Sequence, residues 1–280
     1  MGYKTILAVL DSPKNTGPIS EFAIDLARQF SAHVVGLRAE ILPTVPVIAP
    51  MEIPDPTAME MLQQAAEVET GKIAAAFREK AEHEGISFEW RSFVSSAGYS
   101  SESVLECARA SDLILAAQTD PALSNDNSAD LETLLFESGR PVLLVPYILS
   151  APKPVRRVLI GWNGSKEAAR AAFDALPFLT RAESVEILSI DPPGMPRQAP
   201  DLAGADLAAA LARHGVNVTL TTLEKGELSV EAVIENRLSD NSIDLLVMGG
   251  YGHSRWWEML FGGVTRNVLN SMTALTLLSR

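Results

Sequence analysis

Ile243-Asp244-Leu245-Leu246-Val247-Met248-Gly249-Gly250-Tyr251-Gly252 is the stretch from which the fold can be read. Its first six residues form an apolar run, short and branched enough to be a strand buried on both faces. Glycines close the run at 249, 250 and 252, and a second pair, Gly262 and Gly263, precedes Val264-Thr265. From Val264 to Met272 the pattern is helical, with Val264, Val268 and Leu269 on one side. A buried strand that ends in glycines and leads to a helix start has a plain chemical use. Glycine admits positive φ and lets a ligand come close, while free N–H groups and the helix dipole suit an anion. The same glycines also serve as ordinary turn residues, and that reading stands beside the first.

Strands of this kind recur along the chain, each followed by a helical pattern. Thr5-Ile6-Leu7-Ala8-Val9-Leu10-Asp11-Ser12 reads as the first. Ile19, Phe22, Ala23, Leu26 and Ala27 then predict an amphipathic helix over 18–30. Further strands are expected at 32–42, 86–94, 112–117 and 141–146, and helices over 57–84, from Ser100 or Ser101 onward, and over 131–137. Residues 43–56 contain five prolines and are read as irregular.

After Leu149-Ser150-Ala151-Pro152-Lys153-Pro154, a linker by composition, the pattern starts again. Val158-Leu159-Ile160-Gly161-Trp162-Asn163-Gly164-Ser165 echoes the first strand and its turn, and Ala168, Ala171, Ala172, Ala175 and Leu176 echo the first helix. Asp244-Leu245-Leu246-Val247 matches Asp112-Leu113-Ile114-Leu115, and 274–278 matches the fifth strand. The simplest account is an internal repeat of half the chain. Strand–helix alternation of this length implies α/β architecture, with parallel sheets covered by helices on both faces. Two domains are expected, 1–150 and 151–280.

Gly249-x2-Gly252-x9-Gly262, continued by Gly263-Val264-Thr265, resembles the nucleotide motif of the universal stress protein family, Gly-x2-Gly-x9-Gly-(Ser/Thr). Gly263 stands where that pattern has Ser or Thr, so a phosphate-contacting hydroxyl is missing; Thr265 is the nearest replacement. The resemblance covers nearly the whole chain. It implies two tandem doubly wound five-stranded parallel-sheet domains of the universal stress protein, adenine nucleotide alpha hydrolase-like kind, with strand order 3-2-1-4-5. It also implies ATP or a related adenine nucleotide as ligand, a sensor or regulatory role under stress, and a pseudo-dimer of the two domains that itself forms a homodimer or stays single. The protein partner is not specified.

The nucleotide contacts implied are Gly249, Gly250, Gly252, His253, Gly262, Gly263, Val264 and Thr265, together with Trp162 and Asn163 at the end of the strand beside the switch point. Family members carry Asp near the place of Asn163, where it helps hold the nucleotide and its metal. Asn keeps the hydrogen bonding and loses the charge, which argues against bound Mg²⁺, a hard cation that wants carboxylate oxygen. Asn163 also reads as a turn residue ahead of a helix cap at Ser165. The first half has Ala116-Ala117-Gln118-Thr119-Asp120-Pro121 where the second has its glycines, so it is expected to be degenerate and nucleotide-free, although Asp11 is retained. His253 and Arg255 lie inside the glycine loop, as phosphate contacts or as solvated side chains. Trp256, Trp257, Leu260 and Phe261 are read as core packing, with a lid over the site as the alternative.

A formal charge of −12 without a basic cluster argues against nucleic acid and anionic lipid as partners. No apolar run approaches bilayer length, the N-terminus enters a strand directly without a signal peptide, and a single cysteine fits a reducing compartment. A cytoplasmic protein is expected. Cys107 reads as a small core residue. No Walker A run, Rossmann fingerprint, nucleophile elbow or metal-ligand spacing is present, so no catalytic or metal-binding residue is assigned. An interaction module of the same fold and a slow ATPase remain as alternatives to nucleotide sensing.

Overall fold

The structure, a computed structural model, describes residues 2–42, 56–96, 100–118, 131–192, 203–250 and 272–280. The chain forms two compact units, one of residues 3–117 with 123–140, the other of 141–280 with 1–2 and 118–122.

The first unit runs β1 (Thr5–Val9), α1 (Pro13–Phe30), β2 (His33–Leu42), α2 (Pro56–His83), β3 (Phe88–Ser96), α3 (Ser100–Arg109), β4 (Leu113–Ala117) and α4 (Leu131–Glu137). Its strands are parallel in the order β3-β2-β1-β4. α1 begins five residues before Pro18. Ser12 is the N-cap, its side chain accepting from the Asn15 amide, and Pro13 takes the first turn, where a missing N–H costs nothing. Pro18, where the apolar spacing placed the helix start, lies inside the helix. Pro56, read as irregular, opens α2 for the same reason.

The second unit contributes β5 (Val142–Val145), β6 (Arg157–Gly161), α5 (Lys166–Asp174), α6 (Leu176–Leu179), β7 (Ser184–Ile190), α7 (Ala205–Arg213), β8 (Val218–Leu223), α8 (Val230–Asp240), β9 (Leu245–Gly249) and β10 (Leu275–Ser279). In sheet order these are β8-β7-β6-β9-β10, which is the 3-2-1-4-5 arrangement, all parallel. β5 adds to β10 in the antiparallel sense, Leu143 opposite Leu277. This one antiparallel pair departs from the all-parallel expectation. It covers the row of unpaired backbone groups that an edge strand would otherwise present.

The repeat is visible in hydrogen bonds as well as in order. Asp112 Oδ2 accepts from the amides of Lys4 and Thr5 at 2.7 and 3.0 Å, and Asp244 Oδ2 accepts from Arg156 and Arg157 at 3.0 and 2.9 Å. A carboxylate just ahead of the fourth strand thus clamps the entrance of the first strand in each half. In the second unit α8 packs Ile234 and Leu238 against Leu159, Leu188 and Leu246 on one face of the sheet. α5 and α7 cover the opposite face, where Gly249 meets Ala168 and where Gly204 meets Ile187. Among the described residues no helix is long and apolar enough to cross a membrane.

Candidate functional site

In the second unit the strand order reverses between β6, which leads on to β7, and β9, which returns beside it; such a crevice at the carboxyl edge is where open α/β sheets take ligands. Beyond Gly161 the chain continues β6 by one residue, as the Trp162 amide donates to Leu188 O at 2.8 Å. The turn into α5 is then built from side chains. Asn163 Oδ1 accepts from the Ser165 amide at 3.0 Å, and Ser165 Oγ accepts from the Ala168 amide at 3.1 Å. Asn163 therefore acts here as a turn residue before a cap, and its exposed side chain has its oxygen engaged.

On the other side of the crevice, Gly249 is a close-approach position. A Cβ built on it would lie 2.4 Å from Ala168 N and 2.5 Å from Glu167 C, so the first turn of α5 rests directly on the glycine α-carbon. The Gly250 amide donates to Ser279 O at 2.6 Å, prolonging the β9–β10 ladder. Both glycines thus have a structural task. Gly252, His253, Gly262, Gly263, Val264 and Thr265 lie outside the described residues, as do Arg255, Trp256, Trp257, Leu260 and Phe261.

Trp162 is half-buried and is covered from one side by Gly204, the left-handed residue (φ 86°) that starts α7. A Cβ on Gly204 would stand 3.1 Å from both Trp162 Cδ1 and Ile187 Cγ2. Glu167, in the first turn of α5, is buried although charged. Its carboxylate complements the positive end of the helix dipole, and Lys166 Nζ approaches it at 3.6 Å. Sequence reading passed over Glu167, because nothing in its spacing distinguishes it from the chain's other acidic residues.

The equivalent edge of the first unit is filled by the protein itself. Strand register places Leu10 where Trp162 stands, Asp11 where Asn163 stands, and Ala117 where Gly249 stands. Arg38, on β2, has a side chain only 4% exposed. Its guanidinium donates to Asp11 O at 2.5 Å, Thr70 Oγ1 at 3.0 Å, Glu69 Oε1 at 2.8 Å and Glu40 Oε2 at 3.2 Å. The network ties the end of β1 to α2. Sequence reading did not find it either, since a lone Arg in a strand reads as surface charge.

At the opposite end of the second unit's sheet a cavity of about 360 Å³ is lined by Arg157, Glu186, Thr219, Asp240 and Asn241, among others. Burial pushes the Glu186 carboxyl up, but hydrogen bonds from Arg237, Thr221 and Asn241 and the Arg237 charge outweigh it and hold the group below its ordinary range. Arg237 engages both carboxylate oxygens, Nη2 donating to Oε1 at 2.6 Å and Nε to Oε2 at 3.2 Å. The bond ties α8 to β7, a structural tie at the amino edge. Cys107 is buried in α3, with Arg91 Nη1 at 3.3 Å from its sulfur. Among the described residues no group of three or more His, Cys, Asp or Glu side chains could hold a metal ion.

The sequence profile of the Universal stress protein family matches residues 154–280. A universal stress protein from Archaeoglobus fulgidus DSM 4304 superposes with a TM-score of 0.71 at 15% identity, over 99% of this chain and 96% of that one. A functionally unknown protein from Pseudomonas aeruginosa PAO1 superposes with a TM-score of 0.56 at 13% identity, over 99% and 92%. At these identities the likeness is one of fold. No curated protein matches the chain at a significant level.

Proposed function

Taking residues 154–280 as a universal stress protein family domain, we propose that the chain binds an adenine nucleotide, ATP among them, at the carboxyl edge of its second half. Residues 151–280 form the binding domain, residues 1–150 a degenerate one, and occupancy acts as a signal in a cytoplasmic stress response. The observation that carries this reading is the run Gly249-x2-Gly252-x9-Gly262 issuing from β9 at the switch point beside β6. With the Gly250 amide engaged by Ser279, phosphate contacts fall to Gly252, Gly262 and Gly263 and to the amides of Val264 and Thr265. Asn163 offers no carboxylate, so the reading does not require Mg²⁺. In the first half Ala117 and the buried Arg38 network take up the corresponding edge, which supports one site per chain.

The test is to denature freshly purified protein and identify the released small molecules by mass spectrometry. Adenine nucleotide near one per chain is the expected result. Two per chain would show that the first half also binds. None, followed by no heat on titration with ATP, would leave a nucleotide-independent interaction module. That second reading is favoured by Gly263 in place of a hydroxyl residue and by the use of Asn163 Oδ1 in its own turn.

A further inference from the structure

Followed through the strand registers, one row of residues crosses the carboxyl edge of the second half on the face that α5 and α7 cover. Ser189 on β7 pairs with Thr222 on β8, and Gly249 on β9 pairs with Ser279 on β10. Trp162 stands between them, one residue beyond Gly161, which pairs with Leu188 and with Met248. Four buried side-chain hydroxyls among the described residues lack a hydrogen-bond partner, and three of them lie on this row: Ser189, Thr222 and Ser279. Ser189 is 1% exposed. A buried hydroxyl with no partner carries its full desolvation penalty, so a row of them calls for an explanation in what they bind.

The first half provides the contrast. Register puts Arg38 at the place of Ser189, Ser92 at that of Thr222, and Ala117 at that of Gly249. There the polar group on the row is satisfied by the chain's own Asp11, Thr70, Glu69 and Glu40. In the second half the same place carries a small hydroxyl and nothing answers it.

We propose that Trp162, Ser189 and Thr222 read the base of the ligand, an inference that rests on the nucleotide reading above. Adjacent strands lie about 4.8 Å apart, so the three positions span roughly 10 Å, a run suited to a flat bicyclic heterocycle. The indole of Trp162 offers the apolar stacking surface, and the two hydroxyls, each donor and acceptor, meet ring nitrogens and an exocyclic group. Ser279 is separated from them by Gly249, whose α-carbon α5 covers, and takes no part. Entry to the row lies under the start of α7, which covers Trp162 and Ile187 through Gly204 and has no side-chain cap to hold it. Binding moves this uncapped turn, not the capped start of α5.

Calorimetric titration of the full chain with adenosine, ATP and inorganic tripolyphosphate tests the assignment, using Ser189→Ala, Thr222→Val and the double variant. Each single change is expected to weaken adenosine and ATP about 3- to 10-fold. Tripolyphosphate affinity should stay unchanged, and the ligand-free melting temperature should rise, because an unpartnered buried hydroxyl has been replaced by an apolar group. Trp162→Phe should retain adenosine binding and Trp162→Leu should lose it. Unchanged nucleotide affinity in both hydroxyl variants would overturn the base-reading role while the nucleotide reading stands, and a lower melting temperature alongside it would mean that the hydroxyls hold ordered water only. An unaltered chain that binds none of the three ligands would overturn both.

Discussion

Replacing Gly249 by alanine tests whether the end of β9 is shaped by packing before any ligand arrives. The added methyl would sit 2.4 and 2.5 Å from backbone atoms of Ala168 and Glu167, where ordinary contacts are about 3.5–4.0 Å. Neither neighbour can step aside as a side-chain tip would. The turn they occupy is held by the Ser165 cap, and α5 buries Ala168, Ala171 and Ala172 against the sheet. Relief therefore means sliding α5 or bending the end of β9. Overpacking of this kind costs about 1–3 kcal/mol, and the lower backbone entropy of alanine returns about 0.5–1 kcal/mol. Because both close contacts are to backbone atoms, the upper part of that cost applies, and a net loss of about 1–2.5 kcal/mol follows, or roughly 2–10 °C in melting temperature for a unit of this size. Gly161→Ala is the control. Its Cβ would meet Met248 Cγ at 3.6 Å and Val247 O at 3.8 Å, which is ordinary contact, and its stability should stay within about 0.5 kcal/mol of the unaltered chain. Urea unfolding followed by circular dichroism reads both variants. A Gly249→Ala chain as stable as the unaltered one would refute the close approach of α5 and return Gly249 to the role of a ligand glycine alone.

Two further perturbations probe the features that set the halves apart. Arg38→Met keeps the side-chain volume and removes every hydrogen bond the guanidinium makes. Glu69 is half-exposed and can rehydrate, so the expected loss is about 2–3 kcal/mol, below the roughly 3–5 kcal/mol of a fully buried pair, measured by urea unfolding. In the second half, Glu186 has its folded-state pKa lowered from an ordinary 4.5, so the stability it contributes is present above that value and fades as pH falls through the lower folded pKa. Glu186→Gln should cost about 1–3 kcal/mol at pH 7, and the difference between variant and parent should shrink below about pH 4.5. A difference constant from pH 7 to pH 3 would mean that the charge of Glu186 contributes nothing to the tie between β7 and α8.

Much of the fold was legible in the order of residues, because the signals are local. Apolar runs of strand length, amphipathic spacing in 19–27 and the echo of Asp112-Leu113 in Asp244-Leu245 need only neighbouring residues to be read. They were enough for the repeat and the parallel sheets; the 3-2-1-4-5 order seen in the second unit was implied by the family resemblance and not by these local signals. Local signals placed the start of α1 five residues late, because the apolar spacing begins at Ile19 while the cap that starts the helix is Ser12. They placed the strand β5 but were silent about its pairing, because a short apolar strand carries no mark of which partner it will take or in which direction.

The candidate site divides in the same way. Its place at the end of β9 and the turn chemistry of Asn163 and Ser165 could be read locally, and the Ser165 amide does engage Asn163 Oδ1 in that turn. The close approach of α5 to Gly249, the guanidinium of Arg38 under Asp11, and the row of Thr222, Ser189, Trp162 and Ser279 could not. These join residues that are far apart in the chain and become neighbours only when strands pair in one register and helices settle at one height. Residue order by itself determined which segments become strands and helices and how the two halves repeat, since those choices depend on local periodicity. Tertiary structure alone decided which polar groups find partners and which are left unanswered, since that depends on distances no sequence spacing encodes.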